Sequence, residues 1–446
     1  MRYTPAMDQS YTFNNKQALV MGLGRFGGGL GVTRYLLRQG ARVVLNDQAS
    51  EEELSTSLAD LGNQTGLSLA LGHHSPRLLE DIDLLVVNPA VPRPWENVFI
   101  EAAIDKGIRV TTEIEIAYRQ LNPDQIIAIT GSAGKSTTCA MTHHALASNG
   151  LHSILGGNIG GSLLDRLGEI SNDTTIVLEL SSAMLYWLWG RELKNPPSHP
   201  AVSCVTSFNA NHLDWHGGLE HYHASKKHIL CKEKRAVLPE SLASWAYPNT
   251  RIVTKDHIIH GCEIPGSHNA MNAALAHACI RELHPQLEES EIVNAIRSFS
   301  GLPHRLNRCF EHNGVVYFDD SKSTTPQATL LAVDALQTLA PRNRVHLIVG
   351  GYDKGADLTS LAKLATELAG LYCIGTTAES IVSNAHRNAY LSQNLETAMQ
   401  QIHSRAERGD LVVLSPGCAS WDQFDNYEVR GTRFIQLAKN LAGVTA

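Results

Sequence analysis

The chain has 446 residues, 43% of them hydrophobic, and a formal net charge of −7. That length suits about two to four domains with real cores, and the acidic balance excludes a general nucleic-acid surface, which needs a basic face. No stretch approaches the ~18 apolar residues that cross a bilayer, MRYTPAMDQSYTFNNK lacks the basic-then-apolar order of a secretory leader and reads as a loose tail over 1–16, and the eight cysteines are scattered without a C-x-x-C pair, as suits a reducing cytoplasm.

The first block opens with Gln17-Ala18-Leu19-Val20-Met21, an apolar strand, followed by GLGRFGGGLG and a helix over 32–38. A second strand over 41–45 runs into Asn46-Asp47, and further strands fall at 83–87 and 109–111. Strands alternating with helices predict a parallel sheet. Gly22-Leu23-Gly24-Arg25-Phe26-Gly27 matches G-x-G-x-x-G, with Asp47 about twenty residues on, which is the dinucleotide fingerprint. An NAD-dependent oxidoreductase is one reading. A turn holding the diphosphate of a UDP-sugar uses the same physics, and a glycine turn needed only for tight packing is a third.

A second block starts near Asn122-Pro123-Asp124. Gln125-Ile126-Ile127-Ala128-Ile129 predicts a buried strand, and Ser136 onward a helix, with the glycine-rich ITGSAGKSTT (129–138) between them. Its spacing is G-x-x-G-K-S, shorter than the usual G-x-x-x-x-G-K-[ST]. The inventory of a phosphate loop is complete all the same: backbone N–H groups at a helix start, Lys135 as a point charge, and the Ser136 hydroxyl for Mg²⁺. A dehydrogenase has no use for such a loop. The strand over 175–178 delivers Glu179 to a sheet edge as a candidate Mg²⁺ ligand. After a strand over 201–206, His212 and His216 stand one helical turn apart but not in H-E-x-x-H order, so a zinc hydrolase is a lesser alternative. Lys226, on a predicted helix, reads by itself as a solvated lysine. The third block starts near Gly301-Leu302-Pro303 and has strands at 315–318, 344–349, 370–374 and 410–414, again α/β.

Taken in order, TGSAGKSTT, GGNIGGSLL, LELSS, NHLDWH, HASKKHI, GSHNAMNAAL, GLPHRL, DDSKSTTP, VGGYDKGADL and LSPGCASWDQFDNYEVRG resemble the Mur ligases from about residue 17 to the C-terminus, and G-x-x-G-K-[ST] is that family's own loop. The last motif and the GLPHR–DDSKST pair are similar to those of the glutamate-adding member. This resemblance implies a three-domain α/β architecture: a Rossmann-like UDP-sugar-binding domain (1–122), a central P-loop ATPase domain (123–303) and a C-terminal Rossmann-like domain (304–446) that brings the amino acid. It implies a cytoplasmic, monomeric enzyme of peptidoglycan precursor synthesis whose partners are small molecules. ATP would phosphorylate the carboxylate of UDP-N-acetylmuramoyl-L-alanine, and the amine of D-glutamate would attack the acyl phosphate. L-Glutamate or another acidic amino acid on the same nucleotide is the alternative.

Carried over by resemblance, Gly131, Ser132, Ala133, Gly134, Lys135, Ser136 and Thr137 would hold the ATP phosphates, with Asn269, Asn272, Arg305 and Asp320 completing the ATP site. Ser136 and Glu179 would bind one Mg²⁺, and His212 with a carbamylated Lys226 a second. Lys135, His212, Lys226 and Lys322 would be catalytic. Lys354, Ser420 and Tyr427 would grip glutamate, and Gly24, Arg25, Phe26, Gly27, Asp47, Asn88 and Asn158 the UDP-sugar. The chain departs from the family pattern at Ser132-Ala133 (usually Thr-Asn), Ala183-Met184 (Phe-Gln), Asn211 (Asp), Asn88-Pro89-Ala90 (Ser-Pro-Gly) and Tyr427 (Phe).

Overall fold

The computed structural model describes residues 12–23 and 28–443. Three sheets follow one another along the chain. The first holds β1 (Gln17–Met21), β2 (Arg42–Asp47), β3 (Leu67–Leu71), β4 (Leu84–Val87) and β5 (Arg109–Thr111), all parallel, in the order β3-β2-β1-β4-β5. The loops after β1 and β4 leave the sheet in opposite directions, which opens a crevice at the strand ends. Gly22, at φ 94°, sits there against the side chain of Asn88. The helix Gly28–Arg38 begins earlier than its apolar pattern suggests. Gly29 makes this possible, because a Cβ there would overlap the carbonyl oxygen of Gly22. Phe13 is buried edge-on against Tyr35, so the expected loose tail does not extend to residue 16.

β6 (Ile126–Thr130), β7 (Ser153–Gly157), β8 (Thr175–Glu179), β9 (Val202–Val205), β10 (Arg235–Pro239) and β11 (Thr250–Val253) form the second sheet, ordered β11-β10-β9-β6-β8-β7 and parallel throughout. β6 and β8 are buried along their whole length, which accounts for their unbroken apolar runs. The switch of direction falls between β6 and β9, so the phosphate loop and the 206–209 loop emerge side by side.

In the third sheet, β12 (Asn307–His312), β13 (Val315–Asp319), β14 (Val345–Gly350), β15 (Gly370–Ile374), β16 (Ala389–Gln393) and β17 (Leu411–Leu414) are ordered β12-β13-β17-β14-β15-β16. β12 alone is antiparallel. It is joined to β13 by Asn313-Gly314 at φ 52° and 78°, the two-residue turn that matches strand twist. The last strand slots between β13 and β14, so three loops of distant sequence leave neighbouring strand ends. Two compact units result: the first two sheets with residues 272–295, and residues 259–271 with everything from 296 on.

Candidate active site

The phosphate loop is shaped by two glycines. Gly131 (φ 152°) has no room for a Cβ beside the Thr206 hydroxyl, and Gly134 (φ 83°) none beside the Asn272 amide oxygen. Gly134 is the N-cap of the helix Lys135–Ser148 and offers no side-chain cap, as suits a helix N-terminus that meets an anion. Lys135 folds back on its own loop, its Nζ donating to the carbonyls of Gly131 (3.0 Å) and Ser132 (3.3 Å). The loop is anchored at 132 and 133 rather than loose, through the Ser132 side chain and the Ala133 backbone. Ser132 Oγ donates to the Asn209 carbonyl at 2.8 Å and hydrogen-bonds with Tyr222 Oη at 2.8 Å, while the Ala133 N–H donates to Ser207 Oγ at 2.9 Å.

Glu179 ends β8 directly beside Ile129 of β6, at the rim of this loop. One carboxylate oxygen accepts from Asn158 Nδ2 at 3.1 Å, so a residue expected at the sugar also steadies the expected metal ligand. The other oxygen is buried and, among the described residues, has no hydrogen-bond partner. An orphaned carboxylate oxygen at the rim of a phosphate loop that also carries the Ser136 hydroxyl is a donor set that suits a hard divalent cation.

Lys226 comes from the helix Leu219–Lys227 and is buried. Its Nζ donates to the Gly131 carbonyl at 2.8 Å and lies 4.9 Å from the Tyr222 ring centre. Burial, and then the charge of Lys135, pull its pKa down to about 7 against the opposing pull of Glu179. As an ammonium it would repel a cation. As a carbamate it would add a carboxylate to the rim.

His212 stands at φ 49° just before the short helix Leu213–His216, and burial together with Lys135 and Lys226 lowers its pKa. His216 is not its partner in a zinc site. Both its ring nitrogens are engaged, Nε2 with Ser182 Oγ at 2.9 Å and Nδ1 with His221 Nδ1 at 2.8 Å. Burial first, then His221, push it down to about 3. Among the described residues no group of three His, Cys, Asp or Glu side chains could hold a metal.

At the first sheet, Gly24, Arg25, Phe26 and Gly27 lie outside the described residues. Asp47 accepts from the N–H of Leu23 and of Ala49, both at 2.9 Å, which fixes the turns around the crevice. Asn88 accepts from the Ala90 N–H. The loop after β4 is tied to the second sheet: Trp215 Nε1 donates to the Pro89 carbonyl at 3.0 Å, and Trp95 packs 4.2 Å from His221.

In the other unit, Asp320 follows β13 and is buried. It accepts from the Leu306 N–H (2.9 Å) and from the hydroxyls of Ser323 and Ser415 (both 2.6 Å), and burial pushes it up to about 6. Expected at ATP, it also ties three loops together. Asn269 Nδ2 donates to the Pro265 carbonyl. Arg305 is exposed, its N–H bonded to the Leu302 carbonyl. Lys322 is exposed with its Nζ 5.0 Å from the Tyr427 ring centre, and Lys354 lies 4.3 Å from that of Trp421. Ser420 is buried, and its carbonyl caps the turn to Gln423 and Phe424. Trp421 and the fully buried Arg430 have no counterpart in the sequence-based expectations. Nothing but the exposed aromatic beside a serine loop, and an arginine at a helical core position, could have signalled them.

Three family models match the chain in succession: Mur ligase MurD-like, N-terminal domain (16–112), Mur ligase middle domain (129–245) and Mur ligase, glutamate ligase domain (304–418). The UDP-N-acetylmuramoylalanine–D-glutamate ligase of Koribacter versatilis is 32% identical, covering 96% of this chain and 98% of the relative. That of Streptococcus uberis is also 32% identical, covering 98% and 99%. Among solved structures, the UDP-N-acetylmuramate–alanine ligase MurC of Thermotoga maritima has TM-score 0.59 at 18% identity, covering 95% of this chain and 99% of its own. MurF of the same organism, in complex with ADP, has TM-score 0.55 at 16% identity, covering 99% and 98%; both show the fold. The chain belongs to the Mur ligase family, among its UDP-N-acetylmuramoylalanine–D-glutamate ligases.

Proposed function

We propose that this protein joins D-glutamate to UDP-N-acetylmuramoyl-L-alanine at the expense of ATP, as a monomer in the cytoplasm, in peptidoglycan precursor synthesis, with domains of 1–122, 123–303 and 304–446. The observation that carries the reading is the partnerless Glu179 oxygen and the buried Lys226 amine flanking a phosphate loop, in a chain similar along its length to D-glutamate ligases.

A carboxylate is a poor electrophile because it would have to expel oxide; phosphorylation turns that oxygen into phosphate, which leaves when the amine attacks. The loop N–H groups and Lys135 bind the triphosphate and offset the charge that builds on the transferred phosphoryl group. Ser136 and Glu179 would hold one Mg²⁺, and His212 with a carbamylated Lys226 a second, and these ions would neutralise phosphate charge. A neutral amine is the form that reacts with CO₂, and burial favours that form at Lys226. Asn269, Asn272, Arg305 and Asp320 are assigned to ATP, and Asp47, Asn88 and Asn158 to the UDP-sugar. Lys354, Ser420 and Tyr427 take the glutamate carboxylates, and Lys322 supplies positive charge to the reaction.

The test is phosphate release from ATP with Mg²⁺ and UDP-N-acetylmuramoyl-L-alanine, run with D-glutamate, with L-glutamate and with neither. Release that depends on D-glutamate is expected. Release with L-glutamate alone would move the chain to the other stereochemistry, and the absence of any release that depends on either amino acid would overturn the ligase reading.

A further inference from the structure

The three loops at the head of the third sheet share one buried cation. Arg430 lies on the helix Tyr427–Leu441, one turn after Tyr427, and is 1% exposed. Its Nε donates to Ser321 Oγ at 3.0 Å. Its Nη2 donates to the carbonyls of Ser321 (2.8 Å) and Cys418 (3.1 Å), and its Nη1 to that of Ala419 (3.2 Å). These acceptors adjoin Lys322 on one side and Ser420 on the other. The third loop is tied in through the same carbonyl, because the Tyr352 N–H donates to Ala419 O at 2.9 Å, two residues before Lys354. Gly351 has no room for a Cβ between that oxygen and the guanidinium. Ser321 Oγ in turn donates to the Tyr427 carbonyl at 2.8 Å.

A buried arginine that bonds carbonyls and a hydroxyl, rather than a carboxylate, carries a desolvation cost with little Coulombic return. Helix packing alone would be served as well by an apolar side chain. The planar fork of donors does what an apolar side chain cannot: it fixes the spacing of carbonyls from two separate loops at once.

We propose that Arg430 is the positioning residue of the amino-acid site, setting the mutual geometry of the Lys322, Lys354 and Ser420 loops and so the fit to an α-amino dicarboxylate. This rests on the functional reading above. Lysine at 430 would keep the charge and lose the fork. The experiment measures KM for D-glutamate, UDP-N-acetylmuramoyl-L-alanine and ATP in the wild type, Arg430→Lys, Ser321→Ala and Phe434→Leu. Phe434, fully buried one turn further along the helix in the core beside Tyr317, reports on lost core packing.

Arg430→Lys is expected to raise KM for D-glutamate roughly 10- to 100-fold, the range for losing hydrogen bonds to a charged donor. The other two KM values should stay within about twofold. Ser321→Ala should shift the same constant in the same direction by less. A glutamate KM that is unchanged in Arg430→Lys, or that rises no more than in Phe434→Leu at matched melting temperature, overturns the proposal with the function intact. Absence of D-glutamate-dependent turnover in the wild type would overturn the functional reading first, and the proposal with it.

Discussion

Lys226 is held under two opposing demands. Its carbon chain and ammonium are buried against the phosphate loop, yet the charge that acts on it most is another lysine, Lys135. Depression of its pKa to about 7 is the outcome, and the sign of its linkage follows. Between about 7 and 10.5 the unfolded chain holds a proton that the folded chain has shed, so the lysine destabilises less as pH rises through that window. In CO₂-free buffer the urea midpoint should therefore climb with pH above 7 in the wild type, and climb less in Lys226→Met. With CO₂ present, turnover should need the lysine: Lys226→Ala should lose activity that bicarbonate does not restore, and normal turnover of that variant would end the carbamate assignment. Lys135→Ala should abolish ATP-dependent turnover while calorimetry still shows UDP-substrate binding, since the sugar crevice is built by a different sheet.

Strands, turns and loops set the next scale. Asp320 closes the end of β13 by accepting from one backbone N–H and two hydroxyls. Replacing it with Asn puts an amide among donors, and at least one buried donor is left without an acceptor. Asp320→Asn should cost about 1–3 kcal/mol in denaturant unfolding without any nucleotide present, whereas a residue that served ATP alone would leave apo stability unchanged. The long, fully buried strands were legible from their apolar runs, and so was the helix after the phosphate loop. β3 and β16 were not, because both carry exposed positions that dilute the pattern. β12 was not either, although Asn313-Gly314 between two β-rich runs is a hairpin signal. At the site, motif order made Lys135, Glu179 and Lys226 legible. The inward turn of Asp320 and the Asn158–Glu179 bond were not, since side-chain direction is settled by neighbours from other strands.

For the molecule as a whole, the joint between the first two sheets is a buried ionic knot. Glu115, 2% exposed, meets Arg119 at 3.0 Å and Arg191 at 2.6 Å, and accepts from the Thr111 hydroxyl. Arg191 also lies 4.8 Å from the Trp187 ring centre. Removing the shared anion would leave two largely buried guanidinium groups without it, so Glu115→Ala should destabilise by about 3–5 kcal/mol, read from tryptophan fluorescence during urea unfolding.

No helix among the described residues is long and apolar enough to cross a membrane. What the sequence by itself determined was local: which runs are buried strands, where glycines permit a backbone to approach a phosphate, and which lysines and carboxylates stand at strand ends. Period and motif carry that information because they act over a few residues. Tertiary structure alone decided which ends became neighbours. Inserting β17 between β13 and β14 brings residues 321, 352 and 419 around one arginine, and pairing β6 with β8 and β9 sets Glu179 and Thr206 on either side of Gly131. Strand order is a consequence of how helices and sheets bury their faces across the whole chain, and no short window of sequence contains it.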